Sequence, residues 1–96
     1  LWEMPRVTAR DGEPVAEAAE RAARERAGLD GRAGDVAASL RHGVTTRRIT
    51  LQAVEVRVDD RAAPVAGEEA AQVAWVAPAE RERFPLSSPQ GKLWEK

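Results

Sequence analysis

The residues best suited to chemistry lie between positions 13 and 29 of this 96-residue chain, where acidic and basic side chains recur at helical spacing. Clustered carboxylates can hold divalent cations, which neutralise phosphate charge and activate water for hydrolysis. The same groups can instead form ion pairs with arginines three or four residues away. Glu13, Arg21 and Glu25 could serve either purpose, so at this point both a hydrolytic site and a structural ion-pair set remain open.

A second group of candidate residues is basic and lies near the middle of the chain. Arg41, His42, Arg47 and Arg48 could contact phosphate groups. If their strand is regular, Arg47 and Arg48 point to opposite faces, so only part of the cluster can face one ligand. The alternative is an ordinary exposed hairpin. His42 is the only histidine, and we interpret it as a structural hydrogen-bonding residue rather than a catalyst or metal ligand.

Residues 13–29 predict one amphipathic helix, which would position the first group. Pro14 suits a first helical turn, and Gly28 suits the left-handed position that ends a helix. Pairing of Glu17 with Arg21, and equivalent pairs along the helix, predict a solvent-exposed charged face. The opposite face is rich in alanine, which would let the helix pack closely on a β-sheet.

Residues 41–58 give the strongest strand signal, because apolar and polar residues alternate there. We expect a short preceding strand at residues 35–40, a hairpin whose turn lies near Gly43, and a change of buried face near Ala53. A β-bulge, or a sheet covered on both faces, would explain that change.

Shorter elements complete the chain. They are a strand at residues 72–77, one helical turn at residues 78–83 and a terminal helix at residues 88–94. Apolar neighbours indicate that Trp2, Trp75 and Trp94 are core residues rather than platforms on which bases stack. This order of elements predicts one α+β domain, residues 1–96, with helices on the faces of a mixed β-sheet.

Composition excludes several classes of function. The chain has 15 lysine and arginine residues against 16 acidic ones, so its net charge of -1 does not indicate a nucleic-acid partner by itself. The absence of cysteine excludes disulfides, thiolate nucleophiles and zinc–thiolate sites. No apolar run approaches the roughly 20 residues of a membrane span. We expect a cytoplasmic protein with no membrane partner and, because Leu1 and Trp2 already form part of an apolar segment, a fragment of a longer chain.

The first candidate group resembles the Nudix box, whose family pattern is G-x5-E-x7-R-E-U-x-E-E-x-G-U with U aliphatic. When Gly28 and Leu29 occupy its last two positions, Glu13 matches the first glutamate and Arg21 matches the arginine. Glu25 then matches the first of the paired glutamates. The resemblance implies a Nudix-like α/β/α sandwich, here lacking its first strands.

Three positions depart from that pattern. Val7 replaces the glycine, Ala22 replaces the first metal-binding glutamate, and Arg26 replaces the last glutamate. Two negative charges are lost and a positive charge is gained where cations would have to bind, and Glu25 alone cannot hold them. We therefore expect no metal site and no catalytic residue in this stretch. We interpret the three residues that match the pattern, Glu13, Arg21 and Glu25, as a structural ion-pair set.

The flanking residues resemble the C-terminal domain of adenine DNA glycosylases, the MutY family. Residues 1–5, LWEMP, are similar to its L-W-E-F-P, and residues 41–51 resemble its R-H-x-F-S-H-x-x-L-T-L hairpin. Trp75 and Val76 are similar to its W-V-x-x-x-E-L, and residues 84–92, FPLSSPQGK, to its x-P-x-x-x-P-x-x-K tail. These matches cover most of the chain in the family's order.

This second resemblance implies a domain that helps an upstream glycosylase domain to find 8-oxoguanine opposite adenine in double-stranded DNA during base excision repair. In the family the Phe-Ser-His turn approaches the damaged base, and its serine hydroxyl can bond the Hoogsteen edge. The matching residues are Val44, Thr45 and Thr46, of which only Thr45 keeps the equivalent hydroxyl. The implied DNA-binding residues are Thr45, Thr46, Val44, Arg47, Arg48, Arg41 and His42, with no cofactor in this domain.

Two other functions remain open. A divergent Nudix hydrolase that cleaves nucleoside diphosphate derivatives could draw carboxylates from outside the box, such as Glu68 or Glu69. A partner-binding domain unrelated to DNA would show no salt-dependent binding to duplex.

Overall fold

A computed structural model of the chain describes residues 2–44, 47–59, 61–66, 74–76, 78–86 and 88–95. The first half holds helix α1, Val15–Ala27, followed by the antiparallel strands β1, Gly31–Val44, and β2, Arg47–Val58. A 3-10 helix, Pro78–Arg83, and helix α2, Ser88–Glu95, follow. The chain is therefore an α+β domain, as its pattern predicts.

Helix α1 begins and ends close to the predicted residues. Pro14 has extended backbone angles (φ -60°, ψ 146°) and precedes the helix rather than forming its first turn. Gly28 ends the helix in the left-handed conformation (φ 63°), as predicted, and its N–H donates to the Arg24 carbonyl at 3.1 Å. This αL termination satisfies a carbonyl of the last turn, and glycine adopts it without a Cβ penalty.

The apolar face of α1 packs on one side of the β1–β2 hairpin. Ala23, Ala27 and Leu29 form a small buried cluster, against which Val56 and Val58 of β2 pack. Ala18 and Ala22 are also buried. Because these helix residues are short, the helix backbone can approach the strands closely.

The prediction of a fully exposed charged face on α1 is wrong for two of its members. Arg21 is only 9% exposed and bonds Glu13 instead of lying on the surface with Glu17. Glu20 uses its Oε2 to accept a hydrogen bond of 2.8 Å from the Ala33 N–H of β1. Both carboxylate–donor contacts join α1 to neighbouring segments, which local helical spacing does not reveal.

The hairpin is longer than predicted, and its turn lies further along the chain. β1 starts at Gly31 rather than residue 35, and Gly43 is paired with Arg48 inside the ladder. The last pair is Val44 with Arg47, so residues 45–46 connect the strands. Gly43 suggested a turn, but a strand can contain glycine when its partner supplies the register.

Two register shifts lie opposite the place near Ala53 where the buried face of β2 changes. Between Ala33 and Val36, and again between Val36 and Ala38, β1 contains one residue more than β2. The predicted irregularity is therefore confirmed at this place in the ladder, but the additional residues lie in β1. Such bulges bend and twist a strand pair.

Helix α2 covers the opposite side of the hairpin. Leu93 and Trp94 line a groove of about 320 Å³ together with Ala38 and Ala53. Since side chains alternate along a strand, Ala53 and Val56 face opposite sides of β2. The hairpin thus lies between α1 and α2, the sandwich arrangement that the sequence predicts.

The sheet in the described residues consists of β1 and β2 alone. The single parallel pairing among them is an isolated bridge between Trp2 and Leu86. The strand predicted at residues 72–77 falls partly outside the described residues, and residues 74–76 are not in a strand. No described helix is both long enough and apolar enough to span a bilayer.

The assignment of the tryptophans to the core is wrong for Trp75 and Trp94. Trp75 is 60% exposed and Trp94 is 43% exposed. Trp2 is half-buried and packs edge-to-face on Phe84, with ring centroids 4.9 Å apart. The buried residues are mostly alanines, and such a small core does not enclose large rings.

Candidate functional site

A bidentate ion pair, with two hydrogen bonds, joins Glu13 to Arg21. The Arg21 Nε donates to Glu13 Oε2 at 3.1 Å, and its Nη2 donates to Glu13 Oε1 at 2.9 Å. Both side chains are nearly enclosed, with 12% and 11% of their surfaces exposed. Paired N–H groups of guanidinium match the two oxygens of a carboxylate, so this geometry fixes both side chains.

The same guanidinium also holds the loop that precedes α1. Its Nη2 donates to the Thr8 carbonyl at 2.9 Å, while Glu13 Oε1 accepts the Arg10 N–H at 3.0 Å. The hydrogen bond from Arg21 is the main reason that the pKa of the Glu13 carboxyl is lowered to about 2. Hydrogen bonding to Glu13 in turn raises the pKa of Arg21.

Glu25 is the weaker member of this set. Its Oε2 lies 3.5 Å from Arg21 Nη1, and 44% of its side chain is exposed. The structure therefore joins Glu13, Arg21 and Glu25 by ion pairs, the arrangement expected of a structural set. Glu25 keeps most of its acceptor capacity available to solvent.

The two substituted box positions on α1 differ in their surroundings. Ala22 is buried, with 6% exposed, and Arg26 is half-buried. Among the described residues, no three carboxylate or histidine side chains lie close enough together to hold a metal ion. A glutamate at position 22 would have to enter the packed face of the helix, where its carboxylate would lose contact with water.

The ladder brings the predicted DNA-binding residues together at the distal end of the hairpin. Arg41 pairs with Thr50, and His42 pairs with Ile49. The side chains of four of these residues lie outside the described part of the structure, namely His42, Val44, Arg47 and Arg48. Thr45 and Thr46 lie wholly outside it, and so do Glu68 and Glu69.

The described residues near the tip are exposed on both faces of the hairpin. Arg41 and Thr50 are exposed on one face, and Ile49 is 40% exposed on the other. A partner can therefore reach the described residues at this end of the ladder on either face.

Two arrangements at the base of the hairpin have no signature in the sequence. Glu20 bonds the backbone of Ala33, although its spacing from Arg24 satisfies the rule for an ordinary helix pair. Arg32 and Arg57 lie directly opposite each other in the ladder, and both are exposed. Only the register of the strands reveals that pair, and the predicted start of β1 at residue 35 excluded Arg32.

Fold and site together define a small α+β domain whose loop–helix segment is fixed by a buried glutamate–arginine pair. The family model described as NUDIX domain matches residues 1–96. The chain therefore belongs to the NUDIX domain family, which confirms the Nudix resemblance of its sequence. No curated protein and no solved structure matches the chain significantly, so the resemblance to adenine glycosylases stays a prediction.

Proposed function

We propose that this chain is the damage-recognition domain of an adenine DNA glycosylase, acting on 8-oxoguanine opposite adenine and without hydrolase activity of its own. The observation that carries the proposal is the exposure of both faces at the distal end of the hairpin, at Arg41, Ile49 and Thr50. A hairpin whose distal end is exposed on both faces can approach a base while the helices stay packed on its other end. The ordered sequence matches to the glycosylase domain support the same function.

The altered box supports a recognition role over hydrolysis. Ala22 is buried in α1 and Arg26 adds a positive charge on the same helix, whereas Glu13 and Arg21 keep their mutual bonds. The helix thus retains the contacts that fix its position and lacks two carboxylates that metal-assisted hydrolysis would use. In this function α1 is a scaffold for the hairpin.

Replacement of Thr45 tests the proposal. In the full-length protein that carries this domain, Thr45→Ala should reduce the preference for 8-oxoguanine over guanine opposite adenine by up to about tenfold, the net worth of one hydrogen bond. The preference is measured as the ratio of dissociation constants for the two duplexes. Thr50→Ala, an exposed threonine of the same hairpin, is the matched control and should leave the ratio unchanged. An unchanged ratio in Thr45→Ala contradicts the proposal.

A divergent hydrolase is the second candidate, favoured by family membership and by the partly exposed carboxylate of Glu25. A panel of nucleoside diphosphate derivatives with added Mg²⁺ separates the two functions. Turnover that disappears in Glu25→Gln would establish hydrolysis and overturn the recognition proposal.

A further inference from the structure

Arg32 and Arg57 form a like-charge pair at the base of the hairpin, far from the tip. They are direct partners in the ladder and are both exposed. Directly opposite side chains on antiparallel strands have Cβ atoms about 5 Å apart, where like charges destabilise the strand pair. A bound anion would offset that repulsion.

Neither arginine forms an ion pair with an acidic side chain of the described part of the chain. Three other described arginines do have acidic partners: Arg6 lies 3.5 Å from Glu3, Arg83 lies 3.8 Å from Glu80, and Arg21 pairs with Glu13. Glu55 is close in sequence to Arg57, but it lines the groove beside α2 and forms no ion pair with either arginine. Two guanidinium groups are thus presented together to solvent, and guanidinium suits phosphate oxygens well.

The expected length of β2 between Arg47 and Arg57 is close to one repeat of DNA. Arg57 lies ten residues after Arg47, the first residue of β2. At about 3.3 Å per residue this separation is roughly 33 Å, close to one turn of B-DNA at about 34 Å. The longest dimension of the molecule, 41 Å, accommodates that span.

We propose that Arg32 and Arg57 bind backbone phosphates of duplex DNA about one helical turn from the base that the hairpin tip contacts. This placement rests on the proposed function, whereas the phosphate contact itself requires only duplex DNA. The pair adds affinity without reading sequence, because phosphates carry no sequence information.

The salt dependence of binding tests the phosphate contact. In the full-length protein, Arg32→Gln/Arg57→Gln should make the slope of log affinity against log salt less steep by about 1.8, the value for two phosphate contacts. Between 50 and 200 mM salt the unmodified protein should therefore lose about twelvefold more affinity than the variant. The control Arg6→Gln/Arg83→Gln removes the same charge from exposed arginines that already have partners, and its slope should stay unchanged. Equal slopes in both variants overturn the proposal.

The length of the duplex tests the placement. A lesion with about 15 base pairs on each side should bind more tightly than one with about 5 base pairs, and the arginine variant should lose most of that difference, since about 10 base pairs make one turn. A difference that persists in the variant overturns the placement.

The ratio of affinities for 8-oxoguanine and guanine duplexes reports the proposed function separately. If the protein shows no preference for the lesion but keeps the salt effect, only the assignment of the hairpin tip to the damaged base is rejected. Absence of any duplex binding at low salt overturns both.

Discussion

Arg21 connects three separate parts of the first half of the chain through one guanidinium group. It lies on α1, bonds the carboxylate of Glu13 just before the helix, and bonds the Thr8 carbonyl further upstream. Lysine could not reproduce this arrangement, because an ammonium group lacks the planar fork that serves two oxygens and a carbonyl at once. Glu13 and Arg21, which match the Nudix pattern, therefore have a structural role in this chain that does not require a metal ion.

Acid unfolding should reveal the Glu13–Arg21 pair. The pKa of Glu13 is lowered from 4.5 to about 2 in the folded protein. A carboxyl with a lowered folded pKa stabilises the fold above its unfolded pKa, and this contribution is lost as pH falls towards the folded value. We expect Glu13→Gln to lower the free energy of unfolding at neutral pH and to flatten its dependence on pH between about 4.5 and 2.

The control for that measurement is Glu17→Gln, which removes the same charge from an exposed position of α1. Chemical denaturation at a series of pH values gives the unfolding free energy of each variant. If Glu13→Gln and Glu17→Gln follow the same pH profile, the paired carboxylate does not stabilise the fold as its geometry indicates.

The chemistry of single residues predicts the ends of α1 but not the length of the hairpin strands. Gly28 and Pro14 act locally, so their types alone place the helix boundaries within a residue. The strand partners of Gly43 depend on residues of β2 and on two bulges in β1. Cross-strand register is a property of two segments, and a glycine signal on one of them misplaced the turn by two residues.

The burial of Arg21 was unpredictable for a related reason. Its spacing from Glu17 and Glu25 allows ordinary surface pairs on a helix, and these satisfy every local rule. Arg21 can pair with Glu13 instead only if the preceding loop folds back onto α1, and that fold depends on contacts of Thr8 and Arg10. The box resemblance identified Glu13 and Arg21 as important, while their mutual bonds became visible only in three dimensions.

Substitution of Gly28 should destabilise the junction between α1 and β1. Its φ of 63° is unfavourable for residues with a Cβ, and an added Cβ would lie 3.1 Å from the Val65 Cβ. We expect Gly28→Ala to lower the free energy of unfolding by about 1–2 kcal/mol. Gly43→Ala is the matched control, because a Cβ there meets no atom within 4 Å and the backbone is not left-handed. Equal stability of the two variants would show that the helix end tolerates a side chain.

The two ends of the described chain stabilise each other. The Trp2 N–H donates to the Pro85 carbonyl at 2.8 Å, and the Trp2 ring packs on Phe84. Two further hydrogen bonds join Met4 to Gln90 of α2. These directional contacts fasten α2 and the segment before it to the start of the chain.

Gln90 is the residue on which this connection depends most. Only 5% of it is exposed, its Oε1 accepts the Met4 N–H at 2.9 Å, and its Nε2 donates to the Met4 carbonyl at 3.3 Å. Gln90→Ala leaves both backbone groups without these partners, so we expect a loss of about 1–3 kcal/mol in the free energy of unfolding. Hydrogen exchange at the Met4 amide should also accelerate, because its acceptor is removed.

Lys92→Ala provides the comparison, since Lys92 lies exposed on the same helix and the change removes a side chain of similar length. If both variants lose the same stability, the effect comes from α2 itself. If only Gln90→Ala is destabilised and its Met4 amide exchanges faster, the loss comes from the connection between residues 86 positions apart. The second result is expected, because Gln90 is buried and bonds both backbone groups of Met4, whereas Lys92 is exposed and makes no such connection.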